Sequence, residues 1–282
     1  MIYVSSSCIH KNKISQIIET YAKAGIKNIE LSGGTVYYSE IEQDLIRLRD
    51  RYGITYACHA YFPPPKVPFV VNLAACNDEI YQQSVSHYIN CIEMMRRIEC
   101  NTLSVHAGFL VEIHPNEIGK KLNGHILYDE QTAYERFCKA YRQLDQLCAD
   151  SGIFLYLENN VLSPENYREF QGQNYLMMTD YASIQKMREQ LDFHLLLDLG
   201  HLYVSSHTLG LDYEKECSLL LGDAGWIHIS ENNGLKDEHK PLKQDGEIMK
   251  AFATKDCSSV NVTLETVGEI HDILAGIELV KR

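Results

Sequence analysis

Short apolar runs rich in Ile, Leu and Val recur along the chain, and seven of them end in a side chain that can bind a metal or move a proton. The endings are Ile29-Glu30, Cys58-His59, Val105-His106, Leu157-Glu158, Leu197-Asp198, Ile227-His228 and Leu264-Glu265. The pattern predicts strands at Ile2–Ser6, Asn28–Leu31, Ile54–His59, Thr102–His106, Phe154–Glu158, His194–Asp198, Trp226–Ile229 and Val260–Glu265. Between them apolar residues return at helical spacing, as in Ile14, Ile17, Ile18 and Tyr21, then Ile41, Leu45 and Leu48, then Ile89, Ile92 and Met95. Asn77 before Asp78-Glu79 predicts a capped start for the third helix, and Tyr128–Asp150 reads as the clearest helix of the second half. Gly25, Gly53 and Gly152 stand where helices hand over to strands.

Strands alternating with helices imply a parallel sheet. Eight such units in 282 residues predict an α/β fold, a (β/α)8 TIM barrel forming a single domain over residues 1–282. An open doubly wound sheet would carry a glycine-rich loop after its first strand, whereas this chain continues Ser5-Ser6-Ser7-Cys8-Ile9-His10. In a barrel the C-terminal ends of all strands open on one face. The seven Glu, Asp and His side chains would then converge there, a costly concentration of desolvated polar groups unless it has a use. The long segments Ala60–Cys76, Phe109–Leu127 and Val161–Thr179 follow strand ends and are expected to wall the pocket.

Composition narrows the class. Hydrophobic residues make up 45% and charged residues 23%, as in a soluble globular protein with a sizeable core. No stretch approaches the roughly 18 apolar residues of a membrane helix, and the strand-like start Met1-Ile2-Tyr3-Val4 does not read as a secretion signal. Nine Cys are scattered without CxxC pairs, which fits buried thiols in a reducing cytoplasm better than a disulfide framework or a thiolate metal site. Lys plus Arg is 26 against 38 Asp plus Glu, a net charge of −12 that disfavours nucleic acid as the partner and favours a small molecule.

Glu158, Asp198, His228 and Glu265 end four strands and make the strongest metal hypothesis. One strand-end carboxylate is as readily a salt bridge or a helix cap. Four such groups, with no Arg or Lys in those strands, point to a divalent ion. Three carboxylates and one imidazole form a hard, oxygen-rich set suited to Mn, Mg, Co or Zn. Asp198-Leu199-Gly200-His201 adds a His three residues after the Asp. The polar stretch from His228 to His239, closing on Asp237-Glu238-His239, reads as a loop able to fold back over the pocket.

At these residues the chain resembles the xylose-isomerase-like TIM-barrel superfamily, which holds sugar isomerases and epimerases together with endonuclease-IV-type DNA repair enzymes. The resemblance runs from Glu30 to Glu265, through Leu157-Glu158-Asn159, the Asp-Leu-Gly-His motif and the segment from His228 to Gly246. Two details depart from the family loop: Glu231-Asn232 stands for Asp-Asn, and Gln244-Asp245-Gly246 for Gly-x-Gly. The isomerase and epimerase branch implies one divalent metal on Glu158, Asp198, His228 and Glu265, with Glu158 and Glu265 as the acid–base pair. A metal on two adjacent sugar oxygens acidifies the C–H between them and stabilises an enediolate, and His59, His106, His201, Asp237 and His239 would contact substrate or further metal. The endonuclease IV branch implies three zinc ions on those nine residues together. A carbohydrate isomerase or epimerase is the leading expectation, with the abasic-site endonuclease as its alternative and a homo-oligomer left open. Lys236, Lys240 and Lys243 lie on the loop after the seventh strand and are able to hold a phosphate, although lysines on such a loop are usually just solvated.

Overall fold

The computed structural model describes residues 1–281. Eight strands, β1 Ile2–Ser5, β2 Asn28–Leu31, β3 Thr55–His59, β4 Thr102–His106, β5 Phe154–Glu158, β6 His194–Asp198, β7 Ala224–Ile229 and β8 Asn261–Leu264, close in chain order into one barrel. Every neighbouring pair is parallel, including β8 back onto β1. The helices are α1 Ile14–Lys23, α2 Ile41–Tyr52, α3 Asp78–Arg97, α4 Glu130–Asp150, α5 Pro164–Glu169, α6 Tyr181–Arg188, α7 Leu199–Leu209, α8 Tyr213–Leu220, α9 Glu247–Phe252 and α10 Ile270–Val280. The (β/α)8 barrel expected from the strand–helix alternation is therefore the fold. Among the described residues no helix is long and apolar enough to cross a membrane.

The helices follow their apolar spacing. Ile14, Ile17, Ile18 and Tyr21 of α1 are buried, as are Ile41, Leu45 and Leu48 of α2. The Asn77 side chain accepts hydrogen bonds from the Glu79 and Ile80 amides at 3.0 and 3.3 Å and starts α3 where expected. The fourth helix begins at Glu130 rather than Tyr128, because Asp129 Oδ2 takes the Thr132 amide at 2.9 Å and acts as the cap. β7 starts earlier than Trp226, at Ala224. A register shift between Leu195 and Leu196 lets Gly225 slip past β6 so that Leu195 pairs with Ala224 and Leu196 with Trp226. β1 ends one residue short, β3 and β8 begin one residue late, and Glu265 stands just beyond the end of β8.

Side chains alternate across each strand, so residues two apart share a face. Tyr3, Ala57, Leu196 and Trp226, with Tyr156 against them, pack together in the lumen as an apolar floor. Two residues further along the same strands stand His59, Glu158, Asp198 and His228. The polar layer thus rests on a packed base. On the opposite side of that layer a second cluster, including Val70, Phe109, Val111, Leu122, Phe170 and Tyr175, is built by the loops after β3, β4 and β5. The stretch Val161–Thr179, expected as a polar loop, contains α5, which starts at Ser163-Pro164 with the Ser163 hydroxyl accepting from the Asn166 amide.

Candidate metal centre

The strand ends deliver their side chains to a cavity of about 700 Å³. His59, His106, Glu158, His201, Asp237, His239 and Glu265 line it. Asp198 and His228 lie just beneath, wholly buried. All nine residues singled out from the sequence are brought together, in three neighbouring groups of which the first two share Glu158.

The central group surrounds His228. Its Nδ1 is 3.4 Å from Glu158 Oε1 and 3.5 Å from Glu265 Oε2. Donor atoms of Glu158, Asp198 and His228 fall within 4.8 Å of one another. The second group joins the same Glu158 to two imidazoles, with His59 Nε2 at 3.4 Å and His106 Nδ1 at 3.3 Å from Oε2. The third sits at the loop side. Asp237 Oδ2 is 3.3 Å from His201 Nε2 and 2.9 Å from His239 Nε2.

Neighbouring groups set which ring nitrogen each histidine presents. His201 Nδ1 is 2.9 Å from the Asn159 carbonyl, which can only accept, so Nδ1 carries the proton and Nε2 faces Asp237 and Asp198. The Ser104 hydroxyl, directed to the Cys58 carbonyl, takes His59 Nδ1 at 2.8 Å and leaves Nε2 toward Glu158. Asn159 also clasps the Asp198 backbone, accepting its amide at 2.7 Å and donating to its carbonyl at 3.1 Å. The loop bearing Asp237 and His239 is pinched at its base by Glu231 and Lys240, whose amides and carbonyls pair at 3.0 and 2.7 Å. Glu231, one of the departures from the family loop, packs its carboxylate against Gly246, where a Cβ would collide with it.

The sequence reading left Glu30 outside the donor set, although it closes an apolar run one residue before the end of β2. Its Oε1 lies 2.9 Å from His228 Nε2, off the direction of a hydrogen bond but close enough to orient the imidazole electrostatically. Its Oε2 accepts from Thr263 Oγ1 at 2.7 Å, and Thr263 Oγ1 accepts from Trp226 Nε1 at 2.8 Å. A buried chain therefore ties the apolar floor to the ring. The strand-end pattern was the signal for Glu30; the partner it holds was not legible.

Burial and charge act in opposition here. Burial would raise the Glu158 carboxyl, but the imidazoles of His106, His59 and His228 hold it below its ordinary value, and His228 and His239 do the same for Glu265. Burial, with Asp237, Glu158 and Glu265 nearby, lifts Asp198 to about 6 against the pull of His201. Burial pushes His106 down to about 4, so it is a neutral ligand at neutral pH. For His239 burial is outweighed by Asp237, which raises it to about 9.

Both carboxylate oxygens of Glu158, Asp198 Oδ2, Asp237 Oδ1 and His228 Nδ1 are buried and accept or donate no hydrogen bond. Unmatched buried charges of this kind cost several kcal/mol each. A divalent ion bound by the central group would meet the deficit, so the residues present fit the metal that the strand-end pattern suggests.

The family model for the xylose isomerase-like TIM barrel matches residues 18–282. This chain belongs to the xylose isomerase-like TIM barrel family. Among solved structures it is similar to a D-tagatose 3-epimerase-like protein, at 17% identity and a TM-score of 0.72 over 99% of this chain and 95% of that one. It is also similar to a putative xylose isomerase from Rhodospirillum rubrum, at 14% identity and a TM-score of 0.70, covering 99% and 98%. Endonuclease IV from Thermus thermophilus matches at 15% identity and a TM-score of 0.61, covering 99% and 97%. An uncharacterized protein of Methanocaldococcus jannaschii is 24% identical over 197 residues, which are 69% of this chain and 57% of that protein. At these identities the structural likenesses speak for the fold, and the activity has to be argued from the residues.

Proposed function

We propose that the protein is a divalent-metal-dependent isomerase or epimerase of a sugar or sugar derivative, working in the cytoplasm. The reading is carried by Glu158 and Glu265, which stand on different strand ends, line the same cavity and approach one imidazole nitrogen, His228 Nδ1, at 3.4 and 3.5 Å. Glu158, Asp198, His228 and Glu265 would hold the ion, of Mn, Mg, Co or Zn. When bound, it would polarise a substrate carbonyl and acidify the adjacent C–H. Glu158 and Glu265 are both favoured in their ionised forms, as a proton-abstracting base requires. One takes the proton and the other returns it. His59 and His106 flank Glu158, where they would bind hydroxyls and hold their orientation. The walled cavity and the net charge of −12 suit a small neutral substrate.

One observation favours a second reading. The third group, His201, Asp237 and His239, together with His59, His106 and Glu158, completes nine donors in three clusters. That arrangement would serve a trinuclear zinc endonuclease acting at abasic sites. The two readings part on substrate. The test supplies metal-loaded protein with ketoses, aldoses and their phosphates, and in parallel with duplex DNA carrying an abasic site. Epimeric or isomeric sugar products without nicking support the first reading; nicking without sugar turnover supports the second.

A further inference from the structure

Among the described residues, Tyr61, Glu99, Gln171, Met178 and His239 hold a left-handed backbone without being glycine, with φ between +47° and +68°. Glu99 and Gln171 stand just past the ends of α3 and α5, where helices commonly turn left-handed. Met178 lies in the loop after β5, and its carbonyl takes the Asn160 amide at 2.9 Å. Of the five, Tyr61 and His239 line the cavity. His239 belongs to the candidate donor set. Tyr61 has no part in it, so its conformation needs another reason.

The His59 carbonyl accepts from the Phe62 amide at 3.2 Å, a turn that closes directly after β3. Tyr61 is its third residue, with φ +68°. Turns with positive φ at that place take Gly or Asn, and a bulky side chain there costs about 1–3 kcal/mol. The surroundings make room for it all the same. Gly33, on the loop after β2, has no side chain to crowd it, since a Cβ there would stand 3.2 Å from the Tyr61 Cβ. The turn sends Phe62 into the core and Tyr61 into the cavity. There the Tyr61 ring centre lies 6.4 Å from that of His106, whose Nδ1 is 3.3 Å from Glu158 Oε2. Packing accounts for the ring but not for the hydroxyl, which makes no hydrogen bond among the described residues. In the adjoining loops the Ser6 hydroxyl is committed to the Ser32 amide at 2.8 Å and that of Ser7 to Ser5 at 2.8 Å. A phenol is a neutral hydrogen-bond donor at neutral pH. Resting on the sugar reading above, we infer that Tyr61 is a substrate-binding residue, whose phenol donates a hydrogen bond to one hydroxyl of a sugar held beside His106 and Glu158.

The test is calorimetric titration of Mn²⁺-loaded wild type and Tyr61→Phe with a panel of ketoses and aldoses, then with each monodeoxy analogue of the sugar that binds most tightly. Tyr61→Phe should bind that sugar about three- to tenfold more weakly, as the loss of one hydrogen bond implies. Its melting temperature and manganese content should match wild type, because the hydroxyl has no partner within the protein. One deoxy analogue, lacking the hydroxyl that Tyr61 meets, should bind both proteins alike, while the others keep the difference. Equal binding of every sugar by the two proteins overturns the inference and leaves the sugar reading intact. So does a loss that persists with every deoxy analogue, which makes the effect indirect, or one that comes with a lower melting temperature, which assigns the hydroxyl to packing. Failure of wild type to bind any sugar of the panel overturns the sugar reading and this contact together.

Discussion

His201 gives its Nδ1 proton to the carbonyl of Asn159 across 2.9 Å and turns Nε2 toward the Asp237 carboxylate 3.3 Å away. A bare nitrogen lone pair and a carboxylate oxygen repel at that distance, so a cation must stand between them. Without metal that cation is a proton: burial would lower His201, yet Asp198, Asp237 and Glu158 raise it well above its ordinary value. His201→Ala and His239→Ala should therefore lower turnover roughly ten- to a hundredfold while the ion at Glu158, Asp198, His228 and Glu265 is retained. Metal content measured beside turnover checks this, and total loss of metal from His239→Ala would show that the groups are wrongly divided.

Glu30 holds His228 from the far side, at 2.9 Å from Nε2. Glu30→Gln keeps the shape and removes the charge. It should weaken metal affinity about 10- to 100-fold with the fold intact, as expected of partners that orient a ligating imidazole. Competition with a metal chelator reads the affinity, and circular dichroism reads the fold. Unchanged affinity would mean that His228 needs no such hold.

Protons should compete with the ion. Asp198 must be ionised to bind, and its pKa stands at about 6, so metal affinity should fall as pH drops through 6. The metal-free protein should show the opposite slope at high pH. His239 is raised to about 9 from the usual 6.5, so the folded chain binds the extra proton more tightly. That stabilisation is fully present below 6.5 and is lost as pH rises through 9. Melting temperatures of metal-free protein should decline between these values, and bound metal should flatten the decline. A flat metal-free profile would contradict the Asp237–His239 pairing.

Gly108 stands just after β4, against the main hydrophobic core. A Cβ there would meet the Ala74 Cβ at 2.5 Å and Phe137 at 3.0 Å. Gly108→Ala should cost about 1–3 kcal/mol by overpacking, measurable by denaturant unfolding. Stability within a few tenths of wild type would show that the core around Gly108 can relax.

The barrel was legible because each strand is a short apolar run capped by one polar residue, and the helix spacing between runs is clean at Ile14, Ile17, Ile18 and Tyr21. Six of the nine candidate donors were legible for the same reason, since strand ends share a face; His201, Asp237 and His239 showed instead in the Asp-Leu-Gly-His and Asp-x-His motifs. What was hidden depends on long-range pairing. Gly225 obscured the start of β7, whose register shift only β6 reveals. The helix α5 was concealed within a polar stretch despite its Ser163-Pro164 start. Asn159, Asn160 and Asn166 carry no periodic signal, yet they fasten loops to strands. Asn160 Nδ2 alone donates to the carbonyls of Ala107, Gly108 and Met177.

The most direct measurement of the account is solvent deuterium incorporation into substrate, followed by NMR, for wild type, Glu158→Gln and Glu265→Gln with and without divalent metal. Metal-dependent exchange at one carbon of a ketose or aldose, lost in both variants by about two orders of magnitude or more, is the predicted result. No exchange with any ketose, aldose or sugar phosphate, together with metal-dependent nicking of abasic DNA that those same variants abolish, would contradict it.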